Sequence, residues 1–110
     1  MGGMKFAYEK LEVWNRAVDF AAIVVDTFEG ISTDQKHYRF LDQVEASSIS
    51  ISMNLAEGKG RNSKKEFVQF CYIARGSLYE TMPLLEIFRR KGWVTDSAYV
   101  TLEKEGIEPR

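Results

Sequence analysis

Apolar residues recur every three or four positions along most of the chain. Leu11, Trp14, Val18, Ala21, Val25 and Phe28 form one such series, the spacing that lines up side chains on one face of an α-helix. A first helix is therefore expected over residues 11–28, ended by Gly30. Val13, Ala17, Phe20 and Val24 widen its apolar stripe beyond what one partner helix would cover. A second series takes in Phe40 or Leu41, then Val44, Ser48, Ile51 and Leu55. Ser32 and Gln35 form a capping box that would open this helix near Thr33. Serines at 47, 48, 50 and 52 are unusual inside a helix. Their small side chains allow another helix to come close, and their hydroxyls can bond back to the preceding turn.

The third series is the longest. Phe67, Cys71, Ala74, Leu78, Leu85 and Phe88 predict a helix over residues 64–91. Phe70, Tyr72, Ile73, Tyr79 and Ile87 leave little of that helix wholly polar. Arg89, Arg90 and Lys91 suit the negative end of its dipole, and Gly92 is placed to cap it. Ala98, Tyr99 and Leu102 mark a fourth helix opening at Thr95 or Asp96 and stopped by Gly106 and Pro109. A helix that short is marginal alone and must dock on the others. No strand pattern competes. The expected fold class is all-α, with a single four-helix domain over residues 6–105. Residues 1–5 read as an N-terminal extension or tag, and 106–110 as a tail.

The joint between the second and third helices carries the densest signals. Gly58 stands where a left-handed C-terminal residue is wanted, and Gly60 keeps the turn close. Ser63 and Glu66 form a capping box for the third helix. Lys59, Arg61, Lys64 and Lys65 crowd the turn with no acid among them. Free amides at a helix start together with lysines favour an anion. The plainer reading is a solvated turn with ordinary surface charge. Glu57 and Arg75 are expected to form an ion pair that locks the joint, with Asn54 bonding to the backbone of the turn. Gly76 beside Ser77 suggests a second close approach between helix backbones.

Bulk properties narrow the function. A chain of 110 residues is one domain. A hydrophobic content of 45% suits a globular chain. Net charge −1 gives no global attraction to nucleic acid, so any such binding needs a local patch. The one cysteine, Cys71, lies among Phe67, Phe70 and Ala74 and reads as an inert thiol. The one histidine, His37, sits at the far end of its helix from the serines, so no hydrolytic pairing is expected. The Glu-x-x-His pairs of di-iron bundles are missing. Glu57, Arg61, Arg75 and Glu80 could converge at one end, but the sequence points to no catalysis, metal or other cofactor. The apolar run at 20–25 is too short to span a membrane and is followed by Asp26. No membrane partner is expected, and the default location is cytoplasmic.

Several stretches resemble a known family. Phe6 with Leu11-Glu-Val-Trp14, then Asn54-Leu-Ala-Glu-Gly58, Gly60-Arg61, Ser63-Lys-Lys-Glu-Phe67 and Tyr72-Ile-Ala-Arg-Gly-Ser-Leu78 are similar to the bacterial four-helix-bundle proteins first known from intervening sequences in 23S ribosomal RNA genes. That family is in turn similar to the accessory protein of diversity-generating retroelements. The resemblance implies an up-down-up-down four-helix bundle with a short fourth helix here, and a ring-shaped homopentamer. For the accessory branch it also implies binding to DNA or RNA and contact with a reverse transcriptase. It implies no catalysis. Where family members often carry Arg-Arg in the middle of helix two, this chain has Glu45-Ala46. The basic face is reduced and the basic turn remains. Two function classes follow. One is an oligomeric module binding nucleic acid through Lys59, Arg61, Lys64 and Lys65. The other is a structural or protein-binding homo-oligomer built by the wide apolar faces of helices one and three, whose basic turn only faces water.

Overall fold

A computed structural model describes residues 6–29 and 35–107. A short 3-10 turn, Ala7–Lys10, leads into α1 (Glu12–Glu29), α2 (Gln35–Lys59), α3 (Lys64–Arg90) and α4 (Asp96–Ile107). Helices consecutive in the chain pack side by side, and α4 closes the bundle by touching both α3 and α1. This is an all-α, up-down-up-down four-helix bundle. Gly30, Ser32 and Thr33, expected to separate the first two helices, lie outside the described residues.

Most of the expected apolar residues are buried, but on α1 the buried set is Ala17, Phe20, Ala21, Val24 and Phe28, and Val18 of the expected stripe is exposed. Phe20, Val24 and Phe28 of α1 meet Leu41, Val44, Ile51 and Leu55 of α2. Ala74, Leu85 and Phe88 of α3 and Leu102 of α4 complete the core. Burying a side chain of that size contributes about 1.5–3 kcal/mol, so this cluster is what drives the helices together.

The α2–α3 seam is polar in the middle. Ser47 Oγ and Thr81 Oγ1 lie 2.7 Å apart, both buried. One turn further along, donors run in a line: Asn54 Nδ2 to Ser50 Oγ at 3.0 Å, Ser50 to Ser77 at 3.0 Å, and Ser77 to the Ile73 carbonyl at 3.3 Å. Ser48 and Ser52 bond back to the carbonyls of Glu45 and Ile49. Among the described residues, no buried side-chain nitrogen or oxygen is left without a partner. A buried hydroxyl without a partner costs about 1–3 kcal/mol, so this line of bonds favours one register between α2 and α3.

α3 runs through the exposed Pro83 and ends as its sequence foretells. Gly92 adopts φ +80°. The Trp93 N–H donates to the Phe88 carbonyl at 2.9 Å and the Gly92 N–H to the Arg89 carbonyl at 3.0 Å. That is the six-to-one and five-to-two pattern of a glycine-ended helix. The rings of Phe88 and Trp93 pack with centroids 5.2 Å apart, sealing the stop. Thr95 then caps α4, its hydroxyl accepting from the Ala98 N–H at 3.1 Å. α4 does not stop at Gly106 as the sequence suggested. Gly106 lies inside it, facing Leu78, Met82 and Phe20 so closely that a Cβ would meet all three at 3.2–3.3 Å.

Candidate functional site

The turn between α2 and α3 is built without a left-handed residue. Gly92 is the only glycine with positive φ among the described residues, and α2 continues through Gly58 to Lys59. The reading of Gly58 as a left-handed cap is thus corrected. Its purpose is space: a Cβ there would lie 2.5 Å from Phe70 Cβ and 3.3 Å from Phe67 Cδ1. Gly60 closes the last turn, its N–H shared between the carbonyls of Ala56 and Glu57 at 3.1 and 3.2 Å. Ser63 caps α3 as expected, accepting from the Glu66 N–H at 3.1 Å.

The charges are arranged differently from the sequence reading. Glu57 pairs with Arg61 at 2.7 Å, one turn away on the same helix end. Arg61 also lies 3.8 Å from Glu66 and stands over the Phe70 ring at 5.1 Å. The cluster is therefore not free of acids, because Glu57 and Glu66 flank it on either side. Lys59 sits over the Phe67 ring at 5.6 Å. Lys64 and Lys65 are exposed and have no carboxylate partner among the described residues. The expected Glu57–Arg75 pair does not form. Gly58 faces Phe70, which leaves Arg75 further along α3, where it donates to the Tyr79 hydroxyl at 3.2 Å and stacks over that ring at 5.0 Å. Asn54 also turns away from the loop, donating to the Ser50 carbonyl at 2.8 Å. Gly76 is exposed with nothing within 4 Å of a built Cβ, so the close helix approach is at Gly58 and not there. Cys71 is half-buried, and burial pushes its thiol pKa up, away from the reactive thiolate. No three His, Cys, Asp or Glu side chains among the described residues come together as a metal site.

Two apolar faces stay uncovered. Val68, Tyr72 and Tyr79 stand out from α3, with Tyr72 and Tyr79 64% and 60% exposed. They border an open groove of about 800 Å³ between α1 and α3, floored by Ile51, Leu55 and Ala74. α1 and α3 meet through Phe28 and Phe88, whose rings are edge to face at 5.4 Å, and α4 ends against Leu78 and Met82, so the N-terminal half of α3 has no fourth helix opposite. The second face lies between α1 and α2. Val18, Ala22, Val25 and Ile49 line a shallow hollow there, with Met53 beside it 64% exposed.

The family model of the 23S rRNA-intervening sequence proteins matches residues 9–109. The chain belongs to that family. Among solved structures it is similar to a protein with unknown function from the S23 ribosomal protein family of Bacteroides thetaiotaomicron VPI-5482. The two are 25% identical, the match covers 87% of this chain and 89% of the other, and the TM-score is 0.79. A comparison with curated proteins finds no match.

In this 23S rRNA-intervening sequence protein, sequence reasoning singled out the turn and the wide apolar faces of α1 and α3, and passed over the share of α2 in the α1–α2 face. A signal for that face existed. Ile49 and Met53 are four apart and off the phase of Val44, Ile51 and Leu55, so a second apolar stripe on α2 could have been read. For α3 the excess of apolar residues was visible, but only the structure separates Val68, Tyr72 and Tyr79 from the buried set.

Proposed function

We propose that this family member is a non-enzymatic helical module that works as a homo-oligomer. The observation that carries this reading is the pair of uncovered apolar faces on so small a domain. Contiguous exposed apolar surface on a small protein marks an interaction site. Each face is broad, built from two helices or from a helix and a groove, as a helix-to-helix contact requires. The ring-shaped homopentamer implied by the family resemblance would cover both faces in every copy. Light scattering on the full chain at micromolar concentration tests the reading. A mass several times the 12.6 kDa protomer supports it; the protomer mass at every concentration overturns it.

A second reading is favoured by Lys64 and Lys65. These two lysines, with Lys59 nearby, are exposed at the start of a 27-residue helix and have no acidic partner among the described residues. In an oligomer the turn recurs once per copy, and linked weak sites gain through effective concentration. Arg61 contributes less than the sequence suggested, being held by Glu57. Under this reading the module binds DNA or RNA, and a reverse transcriptase is the class of enzyme it would serve. Fluorescence anisotropy with duplex DNA and structured RNA tests it. Binding should weaken by roughly 0.9 log units per log unit of salt for each phosphate neutralised on duplex DNA. Replacing Lys59, Lys64 and Lys65 by alanine should abolish it. Unchanged affinity in that variant would remove the turn as the site.

A further inference from the structure

We infer that the groove between α1 and α3 binds a single-chain amphiphile with an anionic head, a medium-chain fatty carboxylate. The site belongs to one protomer and does not depend on the homo-oligomer reading: a second copy seated on α3 would roof the groove, not fill it. Its volume of about 800 Å³ is that of a small-molecule site, and such sites form between the helices of bundles. The floor is hydrocarbon. Phe20 of α1, Leu55 of α2 and Ala74 of α3 are buried beneath it. Phe67 closes the end toward the α2–α3 turn, and Gly106 of α4 closes the other end against Leu78.

The α3 rim supplies the partners of the head. Arg75 borders the groove, and no carboxylate pairs with it among the described residues. A guanidinium carries five N–H donors, and one bond is formed here, to the Tyr79 hydroxyl at 3.2 Å. The Tyr79 oxygen accepts that bond, which leaves its own O–H to give. Tyr72, three positions before Arg75 on the same stripe, adds a second exposed hydroxyl. A carboxylate accepts from a guanidinium fork and from O–H donors at once. The opposite rim is unlike this one. Arg16 there donates to the Glu105 carbonyl at 3.4 Å, and Glu12 and Glu105 are the acids bordering the groove. An anionic head is thereby directed to α3. Distance then sets the chain. Arg75 and Phe67 are eight positions apart on α3, ~12 Å at the helical rise. About nine extended methylenes cover that length, as in decanoate. Cys71 lies midway and lines the groove, half-buried, so a bound chain would cover its thiol.

The test is titration calorimetry of the full chain with octanoate, decanoate and dodecanoate, each below its micelle concentration. One ligand should bind per chain. Affinity should rise about fifteenfold from octanoate to decanoate, the worth of two buried methylenes, and much less from decanoate to dodecanoate, whose end outruns the groove. Decanoate should also slow modification of Cys71, the only cysteine, by a thiol reagent. Arg75 is exposed, so Arg75→Gln should keep the wild-type circular dichroism. That variant should bind decanoate about tenfold more weakly, the loss of a hydrogen bond to a charged group, and bind uncharged decanol as the wild type does. No binding at millimolar decanoate would overturn the site. So would binding that leaves Cys71 as reactive as before, or an Arg75→Gln variant that holds decanoate as tightly as the wild type.

Discussion

Gly58 of α2 and Phe70 of α3 meet so closely that a methyl group on Gly58 would lie 2.5 Å from Phe70 Cβ. This contact sets how near the two longest helices come at the turn. It also sets which residues lie level across the seam further along. A Gly58→Ala change must push the helices apart or displace Phe70. Overpacking of this kind costs about 1–3 kcal/mol, and urea unfolding followed by circular dichroism should show the midpoint fall accordingly. Gly76 is the control. It is exposed, inside α3 and free of neighbours, so Gly76→Ala should stabilise by about 0.5–1 kcal/mol through helix propensity. Opposite signs for two glycine-to-alanine changes would separate packing from propensity.

Ser47 and Thr81 should behave as a coupled pair. Each hydroxyl has a second acceptor, the Val44 carbonyl for Ser47 at 3.2 Å and the Ser77 carbonyl for Thr81 at 2.8 Å. Losing one partner therefore leaves the other hydroxyl bonded. Ser47→Ala and Thr81→Val should each destabilise by about 0.5–1.5 kcal/mol, the net worth of one hydrogen bond. The double variant should cost less than the sum, because the bond between them is removed only once. A cycle of four urea curves measures the difference.

Glu86 gives the protein an acid-sensitive end. Hydrogen bonds from Arg89, first, and Arg90 hold its carboxyl down at about 2, from an ordinary value of 4.5. Its Oε2 is 2.7 Å from Arg89 Nη2 and 2.6 Å from Arg90 Nε. A depressed pKa means that folding favours the ionised form. The stabilisation is in full force above pH 4.5 and is lost as pH falls through about 2. Melting temperature should drop over that window, and Glu86→Gln should flatten the drop there while lowering stability at neutral pH.

Glu57 limits the positive charge of the turn. Both members of the Glu57–Arg61 pair are about half exposed, their side chains 53% and 45% accessible, so the pair contributes only about 0–1 kcal/mol to stability. Glu57→Gln should leave the melting temperature nearly unchanged while releasing Arg61. If the turn contacts nucleic acid, the same change should tighten binding and steepen its salt dependence, read by anisotropy.

The helices and their buried faces could be read from the sequence because burial imposes a period. Val44, Ser48, Ile51 and Leu55 are all buried, serine included. Both glycine-linked stops were visible as residue types, but only Gly92 uses the left-handed conformation that the type suggests. At Gly58 the same residue serves a contact with a residue twelve positions on, and no local pattern encodes that. The expected ion pair failed for the same reason. Glu57 has a candidate one turn away, Arg61, and another across the bundle, Arg75. Choosing between them needs the interhelical register. Counting charge only over positions 59–65 also hid the acids on either side. The exposed stripes on α2 and α3 were in the periodicity, masked by the stronger signal of the core.

Radical footprinting of the full chain, dilute and concentrated, tests the central claim most directly. Tyr72 and Met53 are each 64% exposed in the protomer, and both side chains react with hydroxyl radical. The account predicts that both become protected together as concentration rises. Undiminished modification of Tyr72 and Met53 at concentrations well above micromolar would contradict it.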